Sequence, residues 1–80
     1  MHYVYISQSK KKEDEIYKGS TSDLKARLSE HNRGNVSYTA KLRPWRIIFY
    51  CAFQDKKRAL EFEKYLKPAS GIAFVRRRLI

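Results

Sequence analysis

The distribution of hydrophobic positions predicts two short strands near the N-terminus. Residues 3–7 (YVYIS) are a β-branched and aromatic run, and residues 16–20 resume this pattern after a polar stretch of lysines and acids. β-Branched and aromatic side chains are enriched in strands, whereas polar runs are typical of turns. We therefore predict a β-hairpin with a long loop over residues 3–20.

Helical periodicity follows this hairpin. The segment Thr-Ser-Asp at 21–23 provides N-cap side chains. The leucines at 24 and 28 and the histidine ring at 31 recur at helical spacing, and Gly34 marks the end of the predicted helix. A second helix is predicted after Asp55, with residues 59, 62, 63 and 66 on one face and Pro68 as its stop.

The remaining segments complete the predicted order of elements. Residues 33–45 are basic, lack acids and are predicted to be a loop. Residues 46–53 (RIIFYCAF) are apolar on both faces, which predicts a central strand covered on both sides. Residues 71–80 are predicted to be a short helical tail. Three strands support a small domain only when helices cover the sheet, so the order β-β-α-β-α-α indicates an α+β fold.

Length and composition narrow the class of protein. Eighty residues, 42% of them hydrophobic, fit one domain over residues 1–80. No apolar run approaches the roughly 20 residues that span a bilayer, and the N-terminus lacks the basic region of a secretory signal. Cys51 is the only cysteine, so no intramolecular disulfide can form. We expect a cytoplasmic protein.

The charge distribution points to a polyanionic partner. The net charge is +10, and residues 33–80 hold twelve bases against three acids, whereas residues 1–32 hold six against five. Lysines and arginines release counterions from phosphates, so nucleic acid is the favoured partner. The bases lie among short elements rather than on one long amphipathic helix, which argues against a membrane surface. We expect nucleic acid to contact Lys41, Arg43, Arg46, Arg76, Arg77 and Arg78, although charge alone leaves DNA and RNA open.

Several residues occupy unusual positions in this pattern. Glu63 falls in the apolar stripe of the second predicted helix, and a buried carboxylate needs an arginine, a lysine or a metal ion. Arg27 and His31 lie four residues apart at the edge of the first helix stripe, where two positive groups would repel unless an anion lies nearby. Gly19 inside a strand suggests a bend or a close backbone approach. Each feature also has a purely structural interpretation: a salt bridge, a solvated helix flank or a turn.

Short blocks in a fixed order carry a family resemblance. The tripeptides Tyr3-Val4-Tyr5 and Tyr17-Lys18-Gly19 are followed by the helix over 22–32, by Pro44-Trp45 entering a strand, and by the helix over 59–67. In this order the chain resembles the GIY-YIG nuclease superfamily, specifically its small stand-alone bacterial members, over nearly its whole length. Tyr3 replaces the glycine of the first motif and Lys18 the usual isoleucine of the second. The run Arg76 to Arg78 stands where many members carry an asparagine.

The resemblance implies a fold and a set of roles. It implies a three-stranded antiparallel sheet flanked by helices, in a protein that cuts phosphodiester bonds in DNA with one divalent ion, Mg²⁺ or Mn²⁺. Tyr5 and Tyr17 would be the motif tyrosines, Arg27 the arginine that faces the phosphate, His31 an auxiliary group and Glu63 the metal ligand. Tyr17 would take the proton from water.

Two other function classes stay open. One is a binding module of the same fold that holds nucleic acid without cutting it, and the other is a basic protein of ribosomal RNA. A buried glutamate is not needed for binding alone, which favours the enzyme. Targeting would be shape-based, weak or supplied by a protein partner.

Overall fold

The hairpin forms in the computed structural model, which describes residues 1–68 and 75–79. Strand β1 spans His2–Ser9 and strand β2 spans Ile16–Thr21. The two strands pair antiparallel, with Tyr5 directly opposite Gly19. Both predicted strands are therefore confirmed.

Helix α1 spans Leu24–Asn32 and has the ends predicted for it. The Asp23 side chain accepts a hydrogen bond of 3.0 Å from the amide of Ala26, which satisfies one of the free amides of the first turn. Gly34 has a φ of 82° and its amide bonds the His31 carbonyl, while the next amide returns to the Glu30 carbonyl. This pair of bonds is a Schellman motif, in which glycine is favoured because φ is positive.

The basic segment 33–45 departs from the loop predicted for it, and that prediction is wrong over residues 37–40. It contains a short helix, α2, at Ser37–Ala40, and it ends where strand β3 (Trp45–Phe53) begins. Trp45 is 3% exposed, and its indole N–H donates to the Thr39 carbonyl at 2.9 Å. The Asn32 side chain bonds both the amide and the carbonyl of Trp45. These bonds fix the segment between α1 and the sheet.

The prediction that residues 46–53 form the central strand is wrong. The strand order is β2-β1-β3, so β1 lies in the centre and β3 at an edge. Tyr50 of β3 is 57% exposed, whereas Val4, Tyr5, Ile6 and Ser7 of β1 are all nearly or fully buried. The apolar residues of β3 favoured the wrong strand as the centre of the sheet. β1 can occupy the centre because its buried hydroxyl groups form hydrogen bonds with distant elements.

Helix α3 (Lys56–Leu66) covers one face of the sheet. The Asp55 side chain caps it by accepting from the Lys57 amide at 2.9 Å, and Pro68 follows its end. Ala59 and Leu66 pack with Val4, Ile6 and Val75 in the core. Val75 begins a π-helical turn, Val75–Leu79, here named the C-terminal turn. The rest of the predicted tail, residues 71–74 and 80, lies outside the described residues.

The two faces of β1 serve different purposes. Val4 and Ile6 point toward α3 and form the apolar core, while Tyr5 alternates to the opposite face, where it meets His31 of α1. The architecture is thus the predicted α+β fold, a three-stranded antiparallel sheet with helices against it. Within residues 1–68 and 75–79, no helix has the length and apolar character needed to cross a membrane.

Candidate active site

Gly19 allows two tyrosines to meet on the sheet. A Cβ atom at Gly19 would lie 2.7 Å from the Tyr5 hydroxyl and 3.1 Å from Cε2 of Tyr17. Contacts under 3.0 Å require an atom to move, so any side chain here would displace the Tyr5 hydroxyl. The ring centroids of Tyr5 and Tyr17 are 6.3 Å apart. The close backbone approach expected at Gly19 is therefore confirmed, and the approaching groups are the two motif tyrosines.

A directed chain of hydrogen bonds starts at Tyr5. Its hydroxyl lies 3.0 Å from Nε2 of His31, and Nδ1 of His31 lies 2.6 Å from Oγ1 of Thr39. The Thr39 hydroxyl also lies 3.2 Å from the Val36 carbonyl, and we assign its proton to that carbonyl, so that its oxygen accepts from the histidine. Nδ1 therefore carries the imidazole proton, and Nε2 accepts from Tyr5.

Burial keeps both ends of the Tyr5–His31 bond neutral. Burial raises the pKa of Tyr5 to about 12, against the opposing effect of nearby Arg27. Burial also lowers the pKa of His31, and the positive charge of Arg27 acts in the same direction. The expected repulsion between Arg27 and His31 therefore does not arise, since the imidazole is uncharged at neutral pH.

Tyr17 is the more accessible of the two tyrosines. It is half-buried, and its ring centroid lies 4.9 Å from that of His31 and 6.4 Å from that of Trp45. Within the described part of the chain, no hydrogen bond is made to its hydroxyl, in contrast to the Tyr5 hydroxyl. The Tyr17 hydroxyl is thus available to a ligand or to water.

Glu63 points inward from α3, as its position in the stripe predicts, and its side chain is 16% exposed. Its Oε1 accepts from the Ser20 hydroxyl at 2.8 Å, and its Oε2 lies 3.1 Å from Nζ of Lys67. Ser20 directly follows Gly19, so one segment of β2 positions both the tyrosines and the carboxylate. The partner required for Glu63 is therefore a lysine one helical turn away, and this lysine is 56% exposed.

Arg27 faces Tyr5 from α1. The Tyr5 hydroxyl raises the pKa of Arg27, and the guanidinium also lies 3.7 Å from Glu30. The charges of Arg27 and Glu63 both act on the Tyr5 hydroxyl. The structure thus brings Arg27 and His31 to Tyr5, while Glu63 is held by Ser20, close enough for its charge to act on the Tyr5 hydroxyl.

The six basic residues expected to bind nucleic acid are all exposed but lie in different places. Arg46 donates to Oε1 of Gln8 at 2.7 Å, next to the hairpin loop. Arg43 packs over Gly34. Arg76 bonds the Asp14 carbonyl at 3.4 Å and reaches the same cleft as Tyr17. The others are Lys41, Arg77 and Arg78.

Four residues at the site were missed from the sequence. Thr39 holds His31 and Ser20 holds Glu63, each through a hydrogen bond. Nothing in the sequence distinguishes these two hydroxyl residues from the other serines and threonines. Lys67 could have been found, because it follows Glu63 by four residues on one helix face. The ring centroids of Tyr38 and Tyr17 are 6.1 Å apart, and this contact between residues distant in sequence is visible only in the structure.

The donor set suits one hydrated divalent ion. No group of three or more His, Cys, Asp or Glu side chains comes together in the described parts of the chain, so a cage of protein ligands is not formed there. Mg²⁺ keeps several waters and is often held by one or two carboxylates together with substrate phosphates. The Glu63 carboxylate is partly open to solvent, so its oxygens can contact a hydrated ion in competition with the Lys67 ammonium. An oxygen donor in these surroundings fits such an ion.

Comparisons with known proteins show the family of this chain. A UPF0213 protein of Clostridium perfringens is 35% identical over 68 residues, which cover 84% of this chain and 71% of that protein. A UPF0213 protein of Staphylococcus haemolyticus is 36% identical, with 86% of this chain and 83% of that protein covered. One from Lacticaseibacillus paracasei is 43% identical, with 65% and 60% covered. The family model for the GIY-YIG catalytic domain matches residues 1–72, so this chain belongs to the GIY-YIG catalytic domain family.

Proposed function

We propose that this protein is an endonuclease that hydrolyses phosphodiester bonds in DNA with one divalent ion, Mg²⁺ or Mn²⁺. The family is one of nucleases, and its members generally use a divalent metal. The observation that carries the proposal is a pair of contacts at adjacent residues of β2: Tyr5 and Tyr17 lie against Gly19, and Glu63 accepts a hydrogen bond from Ser20. The proposed setting is the cytoplasm, where the free thiol of Cys51 stays reduced.

Glu63 is the residue that would hold the ion, and Ser20 orients its carboxylate. When bound, a divalent ion polarises the scissile phosphate and neutralises charge that develops on it. Arg27 donates to the non-bridging oxygens of that phosphate, because its planar guanidinium can bind two oxygens at once. The side chain of Arg27 is 32% exposed, so it can reach a phosphate that docks from solvent.

Tyr17 takes the proton from the attacking water in this proposal. Its hydroxyl is free of protein hydrogen bonds among the described residues, and the cations Lys18 and Arg76 line the same cleft as its side chain. Tyr5 has a different task. Its proton is committed to Nε2 of His31, so its oxygen accepts a hydrogen bond from the water and positions it.

A second candidate is a nucleic-acid-binding module without cleavage. The observation that favours it is the Glu63–Lys67 ion pair at 3.1 Å, which satisfies the carboxylate without any metal. Both candidates predict DNA binding, so only the fate of the phosphodiester bond separates them.

The test is incubation of the protein with plasmid, flap and single-stranded DNA, with and without Mn²⁺. We expect cleavage of at least one substrate that requires the ion and stops with EDTA. Binding of all three substrates without Mn²⁺-dependent cleavage of any would reject the nuclease and support the binding module. A protein partner that supplies targeting would raise the rate on one structure and leave the metal requirement unchanged.

A further inference from the structure

A cleft of about 530 Å³ opens beside the candidate active site. Its walls come from the hairpin loop, β2, α2, the end of α3 and the C-terminal turn. Tyr17 forms part of the wall, so the cleft is continuous with the site that holds the proposed base. A volume of this size lies within the range of small-ligand sites.

An exposed aromatic ring stands at this cleft. Tyr38 is 77% exposed, whereas Thr39, the next residue on the same short helix, is fully buried. Its ring centroid lies 6.1 Å from that of Tyr17, at an interplanar angle of 45°. Most of the ring is thus free to make new contacts, and an exposed aromatic face is a surface on which a nucleobase can stack.

Cations converge on the same cleft. Lys18 forms no ion pair with any residue in 1–68 or 75–79, and its positively charged neighbours are Lys67 and Arg76. Burial lowers the pKa of Lys18, and those two charges lower it further. Positive charges that lie close together in a partly buried site repel one another, so the site favours the binding of an anion.

The acids of the cleft do not cancel this charge. Glu15 already pairs with Lys12 at 3.7 Å, and Asp14 offers its backbone carbonyl to Arg76. Lys67 is neutralised by Glu63, which leaves Lys18 and Arg76 against the one carboxylate of Asp14. The cleft therefore combines an exposed aromatic face with excess positive charge.

We propose that this cleft binds one unpaired nucleotide next to the scissile phosphate, with its base stacked on Tyr38 and its phosphate held by Lys18 and Arg76. A base inside a duplex has both faces covered by its neighbours, so only an unpaired base can offer a face to a tyrosine. The inference rests on the proposed nuclease function and names its substrate class. That class is DNA with a nucleotide outside the duplex, as in a single strand or at a junction.

Binding without cleavage tests this proposal independently of catalysis. In EDTA, fluorescence anisotropy compares the affinity for a single strand, a flap and a blunt duplex of matched sequence. Tyr38→Ala should weaken binding of the first two by roughly 5- to 150-fold, the equivalent of about 1–3 kcal/mol for one base stack. Its affinity for the blunt duplex should change less than about twofold. Tyr38→Phe keeps the ring and should bind as the wild type does.

Matched variants control for general effects on the surface. Tyr50→Ala removes another exposed tyrosine, 57% exposed on the edge strand, and should leave the preference for unpaired DNA unchanged. Lys18→Gln should reduce the slope of log affinity against log salt for the single strand by about 0.7, the value for one lost phosphate contact. Lys25→Gln, an exposed charge on α1, serves as its control.

The outcomes distinguish the cleft from the nuclease. Equal affinity of the wild type for blunt duplex and unpaired DNA, or a preference that survives Tyr38→Ala, would overturn the cleft proposal. A preference that depends on Tyr38, in a protein that cuts no DNA with Mn²⁺, would uphold the cleft as a binding site and reject the nuclease function alone.

Discussion

Replacing Glu63 by glutamine separates the two roles that its surroundings allow. Glutamine is nearly isosteric with glutamate but carries no charge, so it retains the shape of the helix face and loses the anion. If Glu63 holds the catalytic metal ion, cleavage collapses. If Glu63 serves only as the partner of Lys67, cleavage continues and the loss appears in stability alone.

The expected cost in stability is small because Lys67 is exposed. Its side chain is 56% exposed, so loss of the carboxylate charge leaves the ammonium hydrated rather than stranded. An ion pair of this kind contributes about 0.2–1 kcal/mol. The glutamine oxygen can still accept from Ser20, which lies 2.8 Å from Oε1. We therefore expect the free energy of unfolding to fall by about 1 kcal/mol or less, far below the about 3–5 kcal/mol of a broken buried pair.

The expected cost in activity is large. A metal ion supplies several kcal/mol of transition-state stabilisation, and each 1.36 kcal/mol corresponds to about tenfold in rate. Glu63→Gln should therefore cut DNA at least about 100-fold more slowly. A loss of about 1 kcal/mol lowers the Tm of a domain this size by about 4–8 °C. Thermal melting with and without Mn²⁺, beside a cleavage assay on flap DNA, measures both effects.

Glu61→Gln is the matched control, since Glu61 is exposed two residues earlier on the same helix. It should melt and cleave as the wild type does. A Glu63→Gln protein that cleaves within a few-fold of the wild-type rate would refute the role of Glu63 as the metal ligand. A melting temperature lowered by far more than the predicted amount would show that the Lys67 pair is structural.

Three further changes probe the DNA surface, the backbone and the buried histidine. DNA affinity should fall steeply as salt rises, and further when residues 41, 43 and 46 are all changed to glutamate; unchanged binding would place the surface elsewhere. Gly19→Ala should lower the free energy of unfolding by about 1–3 kcal/mol, because its Cβ would break the buried bond of Tyr5; a wild-type urea-unfolding curve would disprove this. Because burial lowers the pKa of His31, the unfolded chain takes up a proton first, and stability should fall as pH drops below about 6.5. His31→Gln should lose that slope, and retention of the slope would assign it to another group.

Local signals predicted helices α1 and α3 and the inward position of Glu63. Asp23 and Asp55 cap helices as their positions indicate, because an N-cap depends on a few neighbouring amides. Gly34 ends α1 because the turn needs a positive φ. Glu63 faces the sheet because the helical repeat alone decides which side a residue occupies.

The centre of the sheet could not be predicted, because burial of polar groups depends on distant partners. Ser7, Ser9, His31 and Thr39 are all nearly or fully buried. Their partners lie on other elements: Ser9 bonds the Leu42 carbonyl, and Thr39 bonds His31. A strand rich in such residues looks half-exposed in sequence, whereas the apolar edge strand looks central.

The sequence named candidate residues for the site but did not predict the contacts between them. The family resemblance named Tyr5, Tyr17 and Glu63; in the structure the two tyrosines lie against Gly19, and Glu63 bonds Ser20, the next residue. The hydrogen bond from Tyr5 to His31 depends on tertiary packing. The ion pair of Glu63 with Lys67 is one of several that the nearby basic residues would allow. The same applies to the cleft, whose walls come from four separate segments of the chain.

Single-turnover cleavage of flap DNA by Tyr17→Phe, with Tyr38→Phe as its matched control, tests most directly whether this cluster is a catalytic site. Each variant removes one hydroxyl and keeps the ring, so both should melt near the wild-type temperature. A general base contributes about 10²–10⁴-fold to a rate, so Tyr17→Phe should slow cleavage by that factor while Tyr38→Phe cuts at the wild-type rate. The wild-type rate should keep rising with pH beyond the value of about 6.5 typical of a histidine base. Cleavage by Tyr17→Phe within a few-fold of the wild type would contradict the role of Tyr17 as the base.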